Sequence, residues 1–212
     1  MKLDHLLKLA VNLPVIETEI LYTGASNPAS IEVQISRWKA AGKIRQLRKG
    51  LYMLSEPYNK TDIYEPYLAG VLKKPSYISL EKALEMHNLI PEGVSVYTSV
   101  TTKRAWKFTS PLGTFDYRHI QKSLFWGYQS LSVNQQTAFL ATPEKALLDF
   151  FYLNPVEPTT EYLEELRLQN TEKINLDQLH QFAKVFHKPK MTKAASVTAK
   201  YCETQKRELK IL

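Results

Sequence analysis

At Gly42 the apolar pattern of the chain changes period. Before it, the stretch SNPASIEVQISRWKAA places Ile31, Ile35 and Trp38 at spacings of four and three, the stripe of a helix with one buried face. Asn27 can accept hydrogen bonds from the free N–H groups of that helix, Pro28 fits its first position, and Gly42 ends it. After Gly42, Ile44 and Leu47 precede the turn RKG, and Leu51, Tyr52 and Leu54 follow it. That pattern predicts a two-stranded ribbon, with Gly50 supplying the positive φ of its turn. A helix that must bury one stripe and then feed a tight hairpin admits few arrangements.

The preceding residues supply two more helices. Leu3, Leu6, Leu7 and Ala10 recur at helical spacing until Pro14, and a second short helix is expected over Val15 to Tyr22, ended by Gly24. Three helices and a hairpin predict a winged helix-turn-helix over residues 1–56, whose third helix would enter a DNA major groove while the hairpin follows the phosphates. With Ile31, Ile35 and Trp38 turned inward, Ser30, Val33, Arg37 and Ala40 project to the far side. From Ser26 to Gly50 the cations are Arg37, Lys39, Lys43, Arg45, Arg48 and Lys49, against Glu32 alone. Arg37, with Ser30 and Gln34, is assigned to base edges, because arginine can make two bonds to guanine. Lys43, Arg45, Arg48 and Lys49 are assigned to phosphates.

The stretch PYNKTD marks a boundary, and a second domain is expected over residues 62–212. IYEPYLAGVLKKP reads as a helix, YIS as a strand, and SLEKALEMHNLIP as a helix capped by Ser79. VSVYTSV, RAWKFTS and TFDYRHI, SLFWGYQ and TAFLAT are β-rich, predicting a mixed sheet of four to six strands within about residues 76–141. TPEKALLDFFYL restarts a helix with Thr142 as cap, Pro143 at its first position, Glu144 at its positive end, and Ala146, Leu147, Phe150 and Phe151 inward. Two more helices, about Asp177 to Phe186 and Thr192 to Leu209, are expected around a break at Pro189. The fold class is thus α+β: a winged helix-turn-helix, then a mixed α/β domain with a helical end over about residues 142–212.

Catalytic patterns are sparse. There is no Gly-rich phosphate loop, no His-Glu-x-x-His pair and no Gly-x-Ser-x-Gly elbow. Asp116 and His119 would fall on opposite faces of a strand. His180 and His187 lack a third ligand beyond Asp177, and Cys202 has no adjacent histidine. Lys145 and Asp149, four apart, read as a surface ion pair. Trp106, Phe108, Phe115, Tyr117, Phe125, Trp126 and Tyr128 could stack on exposed bases, but read first as sheet core. No catalytic residue, cofactor or metal is expected. The formal charge of +7 favours an anionic partner, a single cysteine fits a reducing compartment, and Asp4, His5 and Lys8 interrupt the leucines that a secretory signal would need unbroken. The reading is cytoplasmic, without a membrane span.

The order GKIRQLRKGLYML, SYISLEKALEMHNLIPEGVSVYTSV and ATPEKALLDFFYL resembles the AbiEi family, the antitoxin component of abortive-infection toxin–antitoxin pairs. The resemblance covers most of Ile20 to Leu153, and its last segment is the most specific. It implies an antitoxin whose winged helix represses its own operon at inverted repeats in double-stranded DNA, and whose second domain counters a nucleotidyltransferase-like toxin encoded beside it. The DNA-contacting part of the family maps onto Pro28 to Ala41 and the hairpin at Arg45 to Lys49. Two other classes stay open: a regulator whose aromatic sheet forms a ligand pocket, and a DNA-targeted nuclease, which would need clustered carboxylates and a lysine.

Overall fold

The computed structural model describes residues 2–10, 12–22 and 27–208 and divides the chain into two units, Met1–Tyr64 and Glu65–Leu212. The first unit holds helix α1 (Leu3–Ala10), strand β1 (Ile16–Glu17), helices α2 (Thr18–Tyr22) and α3 (Pro28–Ala40), and strands β2 (Ile44–Arg48) and β3 (Leu51–Leu54). Leu6, Ala10, Ile16, Leu21, Ile31, Ile35, Trp38, Ile44, Tyr52 and Leu54 form one apolar core, so the inward stripe of α3 is the expected one. Two expectations change. Helix α2 begins only at Thr18, because Ile16 and Glu17 pair antiparallel with Tyr52 and Leu51. The ribbon is therefore a three-stranded antiparallel sheet, in the order β1-β3-β2. Pairing covers the outer edge of β3, and that gain outweighs helical spacing in so short a segment. The Thr18 N–H then donates to the Gly50 carbonyl at 2.9 Å. Gly24, expected to end the second helix, lies outside the described residues, as does Leu209.

The second unit is built on a mixed sheet of six strands in the order β6-β7-β5-β4-β9-β8. These are β4 (Ser76–Ile78), β5 (Val96–Thr101), β6 (Trp106–Ser110), β7 (Gly113–His119), β8 (Tyr128–Val133) and β9 (Gln136–Ala141). The β4–β9 and β5–β7 pairs are parallel, the others antiparallel. Helices α4 (Glu65–Leu72) and α5 (Leu80–Met86) interleave with the strands, and α6 (Pro143–Leu153), α7 (Thr160–Glu165), α8 (Leu176–Val185) and α9 (Pro189–Glu208) follow them. The segment SLFWGYQ is not one strand: Lys122–Leu124 forms a 3-10 turn, Gly127 takes φ +76°, and β8 starts at Tyr128. Pro189 opens α9 rather than separating it from α8, since a missing N–H costs nothing in a first turn. No described helix is long and apolar enough to cross a membrane.

The largest departure from expectation lies in α6. Thr142 caps it as expected, its hydroxyl accepting from the Lys145 N–H at 3.3 Å. Every residue from Glu144 to Phe151 is buried, however, and both Lys145 and Asp149 have no exposed side-chain surface. The surface ion pair expected here is an interior one. Its charges are satisfied by a closed set of partners: Lys145 Nζ donates to Asp149 Oδ1 and to the Tyr77 hydroxyl, the latter at 3.0 Å. Tyr77 Oη and Ser79 Oγ each donate to Asp149 Oδ2 at 2.8 Å. Ser79 precedes α5 as expected, but its hydroxyl serves Asp149 and makes no cap bond.

Around these polar atoms the walls are aromatic. The Lys145 ammonium sits 4.9 Å from the Trp126 ring centre and 5.1 Å from that of Phe186, where the negative ring faces favour a cation. A Cβ at Gly127 would lie 2.9 Å from Lys145 Cγ, so close approach as well as positive φ calls for glycine there. Burial pushes the Lys145 ammonium down from its ordinary pKa against the attraction of Asp149, and pushes the Asp149 carboxyl and the Tyr77 hydroxyl up. Glu144 is also buried, and its Oε1 accepts the Asn175 N–H at 2.7 Å, tying the start of α6 to the cap of α8.

Removing one member of such a pair strands the other in the interior. Lys145→Met or Asp149→Leu is expected to lower unfolding stability by about 3–5 kcal/mol each. The double variant should lose clearly less than the sum, because neither charge is then left alone. Urea titrations followed by far-UV circular dichroism measure this cycle, and additive losses would contradict the coupling.

Candidate nucleic-acid interface

The candidate surface is formed by α3 and the β2–β3 hairpin, and local chemistry sets both. Asn27 Oδ1 accepts from the Ala29 N–H at 3.0 Å, and Pro28 occupies the first helical position. At the other end Ala41 N–H returns to Arg37 O and Gly42 takes φ +66°, which turns the chain out of the helix. Lys43 N–H then reaches Trp38 O at 2.9 Å, and Ser55 N–H reaches Lys43 O at 3.0 Å. These bonds fix where β2 leaves α3. Gly50, at φ +79°, makes the hairpin turn.

The seven residues assigned from sequence fall on these consecutive elements. Ser30, Gln34 and Arg37 are on α3, Lys43 is in the turn after it, Arg45 and Arg48 are on β2, and Lys49 is in the hairpin turn. Ser30, Arg37, Arg45 and Lys49 are exposed, while Gln34, Lys43 and Arg48 are half-buried. The Ser30 hydroxyl donates to Asn27 O at 2.8 Å, so it also closes the first turn of α3. Arg48 Nη1 donates to Lys49 O at 3.0 Å, which holds its guanidinium beside the turn. Arg37 lines a shallow concavity on the outer face of α3 with Ala29, Glu32, Val33, Ser36 and Ala40. Lys39, a cation not assigned a contact, donates to Gln46 Oε1 and so links α3 to β2.

Charge within the first unit is strongly sorted. Residues 37–49 hold six Lys and Arg and no Asp or Glu, whereas the rest of residues 1–64 hold three against six. The opposing charges, +6 and −3, are thus separated along the sequence, although Glu32 lines the same concavity as Arg37, and Glu19 and Glu32 border Lys39 and Lys49. Glu32 is the acidic side chain nearest in sequence to the cations, and the Tyr22 hydroxyl donates to its Oε1 at 3.1 Å. Desolvation and this bond to a carboxylate raise the Tyr22 pKa above its ordinary value.

The other sequence candidates are not assembled into a site. Asp116 is engaged by Arg118 at 3.0 Å, while His119 Nδ1 lies 3.0 Å from Lys103 O. Among the described residues no group of three or more His, Cys, Asp or Glu side chains is placed to hold a metal ion. Burial pushes the Cys202 thiol up to about 11, away from the reactive thiolate. The aromatics pack on each other: Trp106 on Phe108 and Tyr117, Phe115 on Tyr97 and Phe108, and Phe125 and Tyr128 on Tyr77. The aromatic sheet does not line the cavity of about 460 Å³ in this unit, which Thr171, Ile174, Leu176, Cys202, Glu203 and Lys206 help to form. No protein-family model and no curated protein matches the chain.

The α3 cap is the first element on which this surface depends. Asn27→Ala is expected to lower the stability of the first unit by about 1 kcal/mol, with Asn27→Asp retaining most of it. Amide hydrogen exchange of α3 reads this, and equal losses in both variants would remove the cap from the account.

Proposed function

We propose that the first unit is a winged helix-turn-helix that binds double-stranded DNA, with α3 in the major groove and the β2–β3 hairpin on the phosphates. The observation that carries this reading is the confinement of the six cations to the end of α3, the turn after it and the hairpin, in a unit whose remainder is acidic. A duplex presents dense negative charge along its whole length, and a local excess of cations on the end of α3 and the hairpin favours their approach to it. Arg37 reads base edges, Gln34 and Ser30 flank it, and Lys43, Arg45, Arg48 and Lys49 hold the backbone.

The wider role follows from the resemblance in sequence. The segments GKIRQLRKGLYML, SYISLEKALEMHNLIPEGVSVYTSV and ATPEKALLDFFYL support an antitoxin of the AbiEi type, working in the cytoplasm, that represses its own operon at inverted repeats and counters a nucleotidyltransferase-like toxin. A neighbouring gene that encodes such a toxin, and rescue of toxin-arrested cells by this chain, are the expected results. A neighbour of another kind would leave a plain repressor. The second reading, a regulator that senses a small molecule, is favoured by the cavity beside α9.

Two substitutions separate holding from reading. Arg48→Ala combined with Lys49→Ala should weaken operator and random DNA about equally and reduce the salt slope of binding by about two. An unchanged slope in an anisotropy titration would take the hairpin out of the interface. Arg37→Ala should cost about 1–3 kcal/mol on the operator and much less on random DNA. Equal losses on both would make Arg37 a phosphate contact.

A further inference from the structure

The outer face of α3 carries one side chain that neither packing nor helix propensity accounts for. Val33 is 50% exposed, the highest value for any large apolar side chain among the described residues. A valine left in water forgoes the stabilisation of burial, and its branched Cβ slightly disfavours a helix. Its neighbours do not cover it. The shallow concavity that Val33 lines is otherwise formed by Ala29, Glu32, Ser36, Arg37 and Ala40, and the small residues among them leave its methyls open. The core stripe of Ile31, Ile35 and Trp38 lies on the opposite side of the helix.

Two charged residues define what this face meets. Arg37 follows Val33 by four residues, so both project from one side of α3, about 6 Å apart along its axis. Glu32 shares the concavity, and a carboxylate repels phosphate, so the part of α3 around Val33 suits base edges and not the backbone. In the major groove those edges present hydrogen-bond donors and acceptors together with one protruding apolar group, the C5-methyl of thymine. Against a donor or acceptor, an apolar side chain displaces water and returns no hydrogen bond. Against the methyl it removes apolar surface from water on both sides.

We infer, resting on the DNA-binding reading above, that Val33 is a specificity-determining residue that selects thymine through its C5-methyl, beside the guanine read by Arg37. A separation of about 6 Å on the helix, against about 3.4 Å between successive base pairs, places the thymine within about two base pairs of that guanine. One buried methyl corresponds to about a fourfold gain in affinity.

Selection of bound sequences from a pool of random DNA duplexes, using the full chain, tests this, followed by replacement of single thymines in the recovered duplex with deoxyuridine. Deoxyuridine lacks the methyl and keeps every hydrogen-bonding group of thymine. The wild type should recover a guanine with a thymine within about two base pairs, and deoxyuridine at that thymine should weaken binding about fourfold in an anisotropy titration. Val33→Ser, confirmed as folded by circular dichroism, should bind the thymine and deoxyuridine duplexes equally. A wild type indifferent to deoxyuridine at every thymine, or a Val33→Ser variant that still loses about fourfold, would overturn the inference and leave DNA binding standing. Recovery of no preferred duplex by the wild type would overturn sequence reading by α3 and this inference with it.

Discussion

The second unit depends on one ion pair whose side chains are fully buried. Lys145 and Asp149 are four residues apart on a stretch of α6 that is buried all round, and their polar atoms find partners in Tyr77 on β4 and in Ser79 just after it. Tyr77 and Ser79 are two residues apart around β4, so both reach the same carboxylate, and they fix the position of α6 along that strand. An apolar substitute for the pair could be equally stable, since two charges lose their hydration on burial. What the ionic version adds is a single register. A slide of α6 by one residue would leave a carboxylate and an ammonium unpaired in an aromatic interior, where such groups cost several kcal/mol, on the order of a whole domain's margin of stability.

The same network organises the segment before β8. Trp126 and Phe186 close over the ammonium, and Gly127 gives way to the Lys145 stem. That explains why SLFWGYQ is broken rather than extended: its aromatic residues turn inward to the lysine and to Tyr77 before the strand begins. The helical end is tied in by the buried Glu144, whose carboxylate accepts from the N–H of Asn175 while Asn175 Oδ1 caps α8. Glu144, Lys145 and Asp149, within the first two turns of α6, therefore anchor a strand, a loop and a later helix.

Much of this could be read in the chain, and the failures share a cause. The caps at Asn27 and Thr142, the inward Ile31, Ile35 and Trp38, and the turn at Gly50 are local features whose chemistry is complete within a few residues. Strand β1 was missed because two residues carry no period, and only their partners on β3 make them a strand. The burial of Lys145 and Asp149 was missed because an i, i+4 pair of opposite charges usually marks a solvated face. Ala146, Leu147, Leu148, Phe150 and Phe151 cover only about 200° of the helix at 100° per residue, and Lys145 and Asp149 share the sector that is left, which reads as an ordinary polar side. The assigned DNA contacts are legible only as positions on α3 and the hairpin. Which base each would meet depends on a duplex that the chain does not encode.

Net charge alone is a weak guide to what the first unit meets. Its excess over residues 1–64 is only three, nine Lys and Arg against six Asp and Glu, less than the four of residues 65–212, nineteen against fifteen. The two units would look alike by that measure. They differ in arrangement, because residues 37–49 concentrate +6 on two adjoining elements while the remainder of the unit is negative. A uniform surface charge attracts a polyanion without orienting to it, whereas a local excess of cations favours approach by the elements that carry it. Orientation of this kind favours a partner with charge along its whole length, and it is why the position of the six cations weighs more than their number.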